Sequence, residues 1–516
     1  MKITKFTLQM VFILAFFWSM VLISSGLWAN EIPSARYVFF FIGDGMGLAS
    51  INATEIYTSV NQGSLSEPAI SKLNFTKFPI LGLCTTFAAD GFITDSASAG
   101  TAIATGHKTN DGVINMDPSK TVTYTTIAEM AKEKGMKVGI VSSVSIDHAT
   151  PACFYAHQPS RKNYYDIACE LATSNFDYFG GGGFLLPQGK EKDQPDVLDT
   201  ARKNGYTVAT SKDEILTLTP EMGKIIAINP SLDEEKAFLY AIDAKPDDLT
   251  LADFTRKGIE LLDNPNGFFF MIEGGKIDWA AHANDAKTAI VDILAFQKAV
   301  DEAIHFAQIH PEDTLIVVTA DHETGGMSIG YAGTKYSTNL HLLSFQKISY
   351  QAVEQYIEEL RKTASEKEMK LADIMNFITE NFGLILLTDA DRNILKNQAE
   401  EGDKTAVDKL ALSLTPEEIQ SLSEALFLSL QDPKERPQDD QSYLHYGGYE
   451  PFSITLTRIL DQKAGIGWTS YSHTGIPVPV YAQGVGQELF AGYYDNTDLF
   501  TKFTMVMGLE PVGVGK

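Results

Sequence analysis

The stretch that decides the fold is "YVFFFIGDGMG", residues 37–47, in which a continuous apolar run ends in Gly-Asp-Gly. Residues 37–42 are aromatic or aliphatic throughout, which is typical of a strand buried on both faces of a parallel sheet. Three further stretches have the same character: "KVGIVSSV" from residue 137, "GFFFMI" from residue 267 and "TLIVVT" from residue 314. The chain therefore contains at least four predicted core strands.

Helical patterns lie between these strands, for example over residues 125–135 and 289–307. Strands that alternate with helices predict an α/β fold, with a mostly parallel central sheet flanked by helices on both faces. Charged helical patterns dominate from about residue 334, and a strand, "PVPVYAQG", resumes at residue 477. We therefore predict one α/β domain formed by residues 30–333 and 466–516. Residues 334–465 are predicted to be a mainly helical insertion, a cap or an interface.

The N-terminus, residues 1–29, is predicted to be a secretory signal peptide. Lys2 and Lys5 precede the apolar stretch "MVFILAFFWSMVLI", and Gly26 or Ala29 provides a small residue for cleavage. The apolar stretch is long for a signal, so an uncleaved anchor is the alternative, and cleavage is favoured. We expect a periplasmic or secreted protein without a stable membrane anchor.

The overall charge of the chain limits its partners. A net charge of −25 and a pI of about 4.8 argue against nucleic acid as a ligand. A phosphorylated substrate would need positive charge supplied by the site itself. In an exported protein Cys153 and Cys169 are the natural disulfide pair, although Cys84 makes the cysteine count odd.

Acidic residues and histidines follow the predicted strands. Residues at these strand ends are Asp44, Asp147, His148, Thr150, Glu273, Asp321 and His322. In an open α/β sheet ligands bind outside the carboxyl ends of the strands, so these side chains are expected at one edge. Asp278 and His282 are spaced i, i+4, which puts both on one face of a helix.

Such a cluster points to bound metal ions. Neighbouring carboxylates raise one another's pKa unless cations lie among them. Neutral imidazole with carboxylate suits zinc, and carboxylate with hydroxyl oxygen suits magnesium. A lone Asp after a strand is usually a turn residue, but repetition at successive strand ends favours a polynuclear metal centre. The remaining histidines are interpreted as structural: His107, His157, His305, His310, His341 and His445.

Residues 94–106, "TDSASAGTAIATG", predict a helix that begins beside a serine. Asp95 is a suitable N-cap and Gly106 a suitable C-terminal residue. Ser96 would then lie at the positive end of the helix, which favours an anion. A nearby zinc would hold the Ser96 hydroxyl as an alkoxide at neutral pH, so no Ser-His-Asp triad is needed.

Together, six motifs resemble the metal-dependent alkaline phosphatases of bacteria and animals. They are "FFIGDGMG", "TDSASAGTAIATG", "DHATPACFYAHQPSRK", "EGGKIDWAAH", "TADHETGG" and "SHTG". The motifs cover residues 37–333 and 470–510 in the family's order. The resemblance implies a phosphoric monoester hydrolase that converts phosphate monoesters to alcohol and inorganic phosphate. It also implies a phosphoserine intermediate at a centre of two zinc ions and one magnesium ion.

The resemblance also implies roles for individual residues. Ser96 would be the nucleophile, Arg161 would grip two phosphate oxygens, and Asp95 would brace Arg161. The zinc that activates water would be held by Asp278, His282 and His473. The zinc that stabilises the serine alkoxide would be held by Asp44, Asp321 and His322. The magnesium would be held by Asp44, Thr150 and Glu273.

Two positions depart from the best-known bacterial pattern. His148 stands where that pattern has Asp beside the magnesium, and Trp279 stands where it has Lys after the zinc-binding Asp. Together these changes remove a carboxylate and an amine near the metals. We therefore expect a weaker or less selective magnesium site, and activity that rises when magnesium is added.

Two alternatives to the phosphatase remain. A phosphodiesterase or sulfatase of the same superfamily is disfavoured by Arg161, which suits a terminal phosphate, and by the lack of a sulfatase maturation motif. A catalytically silent protein that binds metal or phosphate is disfavoured by the intact Ser96. The expected partners are small-molecule phosphate monoesters, with a homodimer left open. The predicted insertion is a lid, a dimer contact or a surface-binding module, and residues 441–452 are expected to pack rather than reach the site.

Overall fold

A computed structural model describes residues 34–63, 69–363 and 369–509 of the chain. The predicted signal peptide, residues 1–29, and the end of the chain, residues 510–516, lie outside the described residues. The strands are β1 (Tyr37–Gly43), β2 (Ile80–Thr85), β3 (Lys137–Ser142), β4 (Tyr178–Gly181), β5 (Tyr206–Ala209), β6 (Lys224–Ile228), β7 (Phe268–Gly274), β8 (Thr314–Thr319), β9 (Glu323–Thr324), β10 (Ser328–Ile329), β11 (Ile466–Gly467), β12 (His473–Thr474), β13 (Val478–Gly484) and β14 (Gly492–Asp495).

The central sheet has ten strands in the order β14-β2-β13-β8-β1-β7-β3-β4-β6-β5. Neighbouring strands run parallel except around β13, which is antiparallel to both β2 and β8. The remaining strands form two small pairs, β9 with β12 and β10 with β11. All four strands predicted from the apolar runs lie side by side in the middle of the sheet, as β8, β1, β7 and β3, and the predicted α/β fold is confirmed.

The α-helices of the described residues connect and cover these strands. They are α1 (Leu48–Asn61), α2 (Ser96–Thr105), α3 (Ile127–Glu133), α4 (Ala149–Ala152), α5 (Tyr164–Thr173), α6 (Val197–Lys203), α7 (Lys212–Leu216), α8 (Leu251–Leu262), α9 (Lys276–His282), α10 (Ala286–Ile309), α11 (Tyr350–Thr363), α12 (Met375–Phe382), α13 (Asp389–Glu400), α14 (Lys404–Leu412), α15 (Pro416–Ser429), α16 (Asp440–Tyr446), α17 (Pro451–Ala464) and α18 (Thr497–Met507). Within the described ranges, no helix combines the length and apolar character needed to cross a membrane.

Strand β1 shows how both faces of the sheet are covered. Its side chains alternate between the faces because successive residues of a strand point in opposite directions. Phe41 packs edge-on against Phe296 of α10, with ring centroids 5.9 Å apart. Phe40, on the opposite face, packs against Phe503 of α18 at 4.7 Å. Every residue of β1 is buried, which explains why its sequence is apolar without interruption.

The helices between residues 340 and 464 have an apolar core of their own. Leu343, Ile357 and Leu426 belong to it, and it also contains Ala53 from α1 and Ile290 from α10. This helical segment therefore packs on one side of the α/β core rather than lying apart from it. The exact bounds of the predicted insertion stay a prediction.

The pairing of Cys153 with Cys169, which the sequence left open, is not formed. Both are free thiols, as is Cys84. The Cys153 thiol is buried against α2 and donates a hydrogen bond to the carbonyl of Ala97 at 3.2 Å. Gly100 allows this approach, because a Cβ at that position would lie only 2.8 Å from the Cys153 sulfur. Cys153 therefore serves close helix packing.

Candidate active site

The candidate site lies at the carboxyl ends of the central strands. Because β8, β1, β7 and β3 are adjacent and parallel, the residues at their carboxyl ends share one edge of the sheet. Asp321 follows β8, Asp44 follows β1, and Glu273 is the penultimate residue of β7. His148 and Thr150 follow β3 and begin α4. The sheet thus brings together residues that are as far apart as 44 and 321 in the chain.

A first group consists of Asp44, Asp321 and His322. Nε2 of His322 lies 3.2 Å from Oδ2 of Asp321 and 3.5 Å from Oδ1 of Asp44. The other oxygen of Asp321 accepts hydrogen bonds from the backbone N–H of Gly45 at 3.2 Å and of His322 at 3.0 Å. All three side chains are buried. One imidazole nitrogen and two carboxylate oxygens therefore surround a common point, as a metal site requires.

A second group consists of Asp278, His282 and His473. Asp278 and His282 lie on one face of α9, with Oδ2 and Nε2 separated by 3.4 Å. His473 comes from β12, and its Nε2 is 3.7 Å from Oδ1 of Asp278. The Nε2 atoms of His282 and His473 face each other at 3.0 Å. The ligand atoms of this group again converge on one point.

The two imidazoles of the second group fit a cation between them. Nδ1 of His282 lies 2.5 Å from the carbonyl oxygen of Tyr471, and Nδ1 of His473 lies 2.7 Å from that of Thr94. A carbonyl oxygen only accepts hydrogen bonds, so each Nδ1 carries a proton and each neutral ring presents a lone pair at Nε2. Two lone pairs 3.0 Å apart repel each other unless a cation binds both. Without a cation, burial opposes protonation of His282, yet Asp278 raises its pKa to about 9.

A third group adjoins the first. The hydroxyl of Thr150 lies 3.3 Å from Oδ2 of Asp44, and Glu273 accepts a hydrogen bond of 2.5 Å from Ser142. Asp44 therefore offers one oxygen to the group with His322 and the other to the group with Thr150. Carboxylate and hydroxyl oxygens without imidazole nitrogen suit magnesium better than zinc.

The buried carboxylates have too few hydrogen-bond donors and positive charges around them to stabilise their negative charge. Asp44 Oδ1, Asp321 Oδ2 and Glu273 Oε1 are shut off from solvent and accept no hydrogen bond from the described residues. Burial, followed by repulsion from neighbouring carboxylates, raises the pKa of Asp321 to about 7 and that of Asp44 well above its usual range. Buried carboxylates in this situation need cations. The donor set therefore fits two ions with mixed nitrogen and oxygen ligands and one with oxygen ligands.

Ser96 faces the first group from α2. Its hydroxyl oxygen lies 3.2 Å from Nε2 of His322, and the side chain is buried. Asp95 is the N-cap of α2, as predicted, and accepts a hydrogen bond from the backbone N–H of Ser98 at 2.9 Å. Gly106 ends the helix with φ 75°. Ser96 is thus the first residue of a well-capped helix, where the unpaired N–H groups and the dipole favour negative charge.

Arg161 completes the phosphate-facing side of the site. Its Nη1 donates to Oδ2 of Asp95 at 2.9 Å, and its Nη2 lies 3.4 Å from Nε2 of His148. Burial, followed by the charge of Arg161, lowers the pKa of His148 to about 3, so His148 is neutral and can accept this hydrogen bond. The ring of Trp279 lies edge-on to His148 with centroids 5.8 Å apart. The two residues that depart from the best-known bacterial pattern therefore contact each other beside Arg161.

Some residues of the site carry no pattern in the sequence. Thr324 of β9 donates to Oδ1 of Asp278 at 2.5 Å and lies 3.3 Å from Nδ1 of His322, so it joins the two metal-type groups. His473 reaches the site because the two-residue strand β12 pairs with β9, with His473 opposite Thr324. Pairs this short leave no periodic pattern, so His473 was suggested only by the resemblance of the motif "SHTG" to the family.

The expectation that residues 441–452 pack away from the site is wrong. A cavity of about 520 Å³ opens over the site, and Tyr449 lines it together with Tyr350 and Glu235. The other lining residues are Ser96, His148, Arg161, Asp278, Trp279, His282 and His473. Tyr449 packs edge-on against Tyr350 with centroids 5.8 Å apart. The helical segment therefore supplies one wall of the cavity, which its amphipathic sequence did not indicate.

Comparison with known proteins points to one family. A family model described as alkaline phosphatase matches residues 35–381 and 452–509, so residues 382–451 of the predicted insertion fall outside the matched ranges. Alkaline phosphatase 3 of Bacillus subtilis (strain 168) is 31% identical over 473 residues, covering 90% of this chain and 87% of that protein. Alkaline phosphatase 4 of the same strain is 32% identical over 480 residues, with coverage of 90% and 87%. A crystal structure of a cold-active alkaline phosphatase from a psychrophilic Shewanella sp. superimposes with a TM-score of 0.70 at 29% identity, covering 91% of this chain and 99% of that one.

Proposed function

This chain belongs to the alkaline phosphatase family and is a phosphoric monoester hydrolase, and from that premise we propose a mechanism that proceeds through a phosphoserine at Ser96. The observation that carries the proposal is the position of the Ser96 hydroxyl. The Ser96 oxygen lies 3.2 Å from Nε2 of His322 and stands at the N-terminus of α2. Ser96 and Arg161 line the same cavity, so positive charge and the helix dipole both act there.

The phosphate is held by this chain's own cations and dipoles. Arg161 keeps a fixed orientation because Asp95 accepts its Nη1–H at 2.9 Å, and its planar fork suits two phosphate oxygens. Asp95 is itself fixed by capping α2. The N–H groups of the first turn of α2 add positive potential at Ser96. An acidic protein can therefore bind a dianionic substrate at this one place.

Two displacements complete the reaction. The Ser96 hydroxyl loses its proton to solvent and its oxygen attacks phosphorus, forming the O–P bond of phosphoserine as the bond to the substrate alcohol breaks and the alcohol oxygen takes up a proton from solvent. Water then attacks the same phosphorus, which returns the Ser96 hydroxyl and releases inorganic phosphate. Arg161 contacts the phosphoryl oxygens in both steps, which keeps the phosphoryl group in place while the attacking oxygen changes.

The buried ligand groups would hold two zinc ions and one magnesium ion. We assign one zinc to Asp278, His282 and His473 and the other to Asp44, Asp321 and His322. Magnesium is assigned to Asp44, Thr150 and Glu273. When bound, these ions supply Lewis-acid stabilisation of the attacking and leaving oxygens and lower the pKa of the hydroxyl and of water. The unpaired oxygens of Asp44, Asp321 and Glu273 support this assignment.

We further propose that the protein is exported, to the periplasm or the medium. The basic and apolar residues at the N-terminus support export, as argued from the sequence. The test is to express the full chain and to determine the N-terminal residue of the mature protein by mass spectrometry. A mature protein that retains residues 1–29 contradicts cleavage.

The mechanism is tested with Ser96→Ala and with Ser119→Ala as a matched control, because Ser119 is exposed on a loop. Both variants are loaded with zinc and magnesium and assayed with an aryl phosphate, a bis-aryl phosphate diester and an aryl sulfate. We expect the wild type and Ser119→Ala to prefer the monoester, Ser96→Ala to lose nearly all activity, and chelation to abolish activity in each. Acid quenching during turnover should trap a phosphoryl group on the peptide with Ser96. Full activity of Ser96→Ala with correct metal content refutes the proposal.

A further inference from the structure

Lys276 is a buried cation that the proposed mechanism does not use. It is the first residue of α9, two residues before Asp278, and its side chain is 1% exposed. Its Nζ donates a hydrogen bond to Oδ2 of Asp233 at 2.7 Å, and Asp233 is buried as well. A buried ion pair adds little net stability, because the loss of hydration offsets much of the attraction. The pair therefore points to a role other than stability.

Two aromatic rings lie against the ammonium group of Lys276. Its Nζ is 3.9 Å from the ring centroid of Tyr240 and 4.7 Å from that of Trp279. Both distances are within the range at which the face of an aromatic ring attracts a cation. Tyr240 is itself fixed, because its side chain is fully buried and its hydroxyl donates to that of Tyr350 at 3.1 Å. Asp233 and Tyr240 thus hold the ammonium group in one place beside Trp279.

Trp279 in turn contacts a residue of the phosphate site. Its ring lies edge-on to His148, with centroids 5.8 Å apart, and Nε2 of His148 is 3.4 Å from Nη2 of Arg161. The other ring nitrogen of His148, Nδ1, is shut off from solvent and has no hydrogen-bond partner among the described residues. No hydrogen bond at Nδ1 therefore sets the orientation of this imidazole, which depends on the rings and side chains packed against it.

The Trp279 ring needs a contact that holds it, because the protein core encloses it only in part. Trp279 is partly exposed and lines the catalytic cavity, so one side of its ring has no protein neighbour. The ammonium group of Lys276 is a fixed attraction for this ring. The contacts therefore run without a gap from the buried ion pair to Arg161.

We propose that Lys276 is a positioning residue for phosphate binding. Its ammonium group holds the indole ring of Trp279, which keeps His148 in the orientation that accepts Nη2 of Arg161. Asp95 fixes the other nitrogen, Nη1, so the guanidinium group is ordered before phosphate binds, and each nitrogen keeps a second N–H for the ligand. The inference rests on the proposed function, because the ligand of Arg161 is the substrate phosphate. No step of the reaction changes.

The test replaces the ion pair as a whole, with Lys276→Met and Asp233→Asn in one chain, called here the pair variant. Lys276→Met alone would leave Asp233 as an uncompensated buried charge, which is strongly destabilising. An asparagine can still accept the N–H of Ala237, as Asp233 does at 2.9 Å. The matched control is Lys132→Met with Asp177→Asn, which removes another ion pair, of 2.6 Å. Asp177 directly precedes β4, so that pair lies at the opposite edge of the sheet from the site.

Two quantities are measured at equal zinc and magnesium content, because Lys276 is close in the chain to the proposed ligand Asp278. The first is the inhibition constant of inorganic phosphate in the hydrolysis of an aryl phosphate. It is determined for the wild type, the pair variant, the control, Trp279→Leu, and the pair variant combined with Trp279→Leu. The second is the fluorine NMR signal of Trp279 in protein labelled with 5-fluorotryptophan, which is assigned by its absence in Trp279→Leu.

We expect the pair variant to raise the inhibition constant about three- to tenfold and to broaden or split the Trp279 signal. The control should leave both unchanged. In the Trp279→Leu background the pair variant should cause no further rise, because its effect acts through that ring.

Three results would overturn the inference and leave the proposed function intact. They are an inhibition constant of the pair variant equal to that of the wild type, a Trp279 signal as narrow as in the wild type, and effects of the two changes that multiply in the combined variant. A wild type that does not hydrolyse the aryl phosphate, or that inorganic phosphate does not inhibit, refutes the proposed function and this inference with it.

Discussion

The link between Asp95 and Arg161 provides a quantitative test of how the phosphate site is built. One oxygen of Asp95 caps α2 through the backbone N–H of Ser98, and the other accepts Nη1 of Arg161, both at 2.9 Å. The pKa of Asp95 is lowered: burial opposes ionisation, but Arg161 and the Ser98 N–H outweigh it. Asp95→Ser keeps a capping hydroxyl, but the serine side chain is too short to reach Arg161. Replacing it with Ala removes both contacts.

Loss of each contact should change a different measured quantity. The contact with Arg161 affects the inhibition constant of inorganic phosphate, and the cap of α2 affects the free energy of unfolding. Without Asp95, phosphate itself must order the Arg161 side chain, and fixing the rotamers of an arginine costs about 1.5–2 kcal/mol. Since 1.4 kcal/mol corresponds to a factor of ten, the inhibition constant of inorganic phosphate should rise about 10- to 30-fold in both variants. Loss of the cap in Asp95→Ala should lower the free energy of unfolding by a further ~1 kcal/mol relative to Asp95→Ser.

The assay is competitive inhibition of aryl phosphate hydrolysis by inorganic phosphate, together with urea unfolding of the same preparations. Asp196→Ser is the matched control, because Asp196 caps α6 through Leu198 N–H at 2.8 Å and binds no arginine among its described contacts. It should leave the inhibition constant unchanged. An unchanged inhibition constant in Asp95→Ser, or equal stability of Asp95→Ser and Asp95→Ala, would refute the reasoning.

Three further predictions follow from the described contacts. Enzyme stripped of metal should regain only part of its activity with zinc and the rest when magnesium is added, because the resemblance places His148 where the best-known bacterial pattern has a carboxylate beside the magnesium; full recovery with zinc alone contradicts this. Burial opposes protonation of His157, but Glu129 and Glu170, each 3.5 Å from its ring nitrogens, raise its pKa to about 10. The stability that His157 contributes is therefore complete below its unfolded pKa of about 6.5 and is lost as the pH rises through 10. In urea unfolding, the stability difference between wild type and His157→Gln should shrink from pH 6 to pH 10.5, and a constant difference would count against the ion pairs. Gly100→Ala should destabilise the protein by about 1–3 kcal/mol through the Cys153 contact, and Cys153→Ala in the same chain should recover part of the loss in thermal or urea unfolding, because it removes the sulfur at 2.8 Å but keeps the Cβ at 3.0 Å.

The three groups of candidate metal ligands show which site residues can be predicted from the sequence alone. Asp44, Glu273 and Asp321 were predictable because each lies at or just after the end of a largely apolar strand, and parallel strands deliver their carboxyl ends to one edge. Asp278 and His282 were predictable from helical spacing within α9. In these cases the local pattern specifies the element, and the element specifies the direction of the side chain.

The residues that local patterns missed are placed by long-range contacts. Thr324 and His473 meet through a pair of two-residue strands, and no periodicity exists over so short a length. Tyr449 and Tyr350 line the catalytic cavity because the helices of residues 340–464 pack against α1 and α10 with a core of their own.

The sequence by itself determined the α/β architecture, the start of α2 at Ser96 and the convergence of carboxylates at one sheet edge, because these depend on periodicity, capping and strand direction within single elements. Only the tertiary structure decided that the cysteines stay unpaired, that Thr324 joins the two groups with histidine ligands and that two tyrosines of the helical segment border the site. These features depend on distances between separate elements of the chain, and such distances are set by how whole elements pack together.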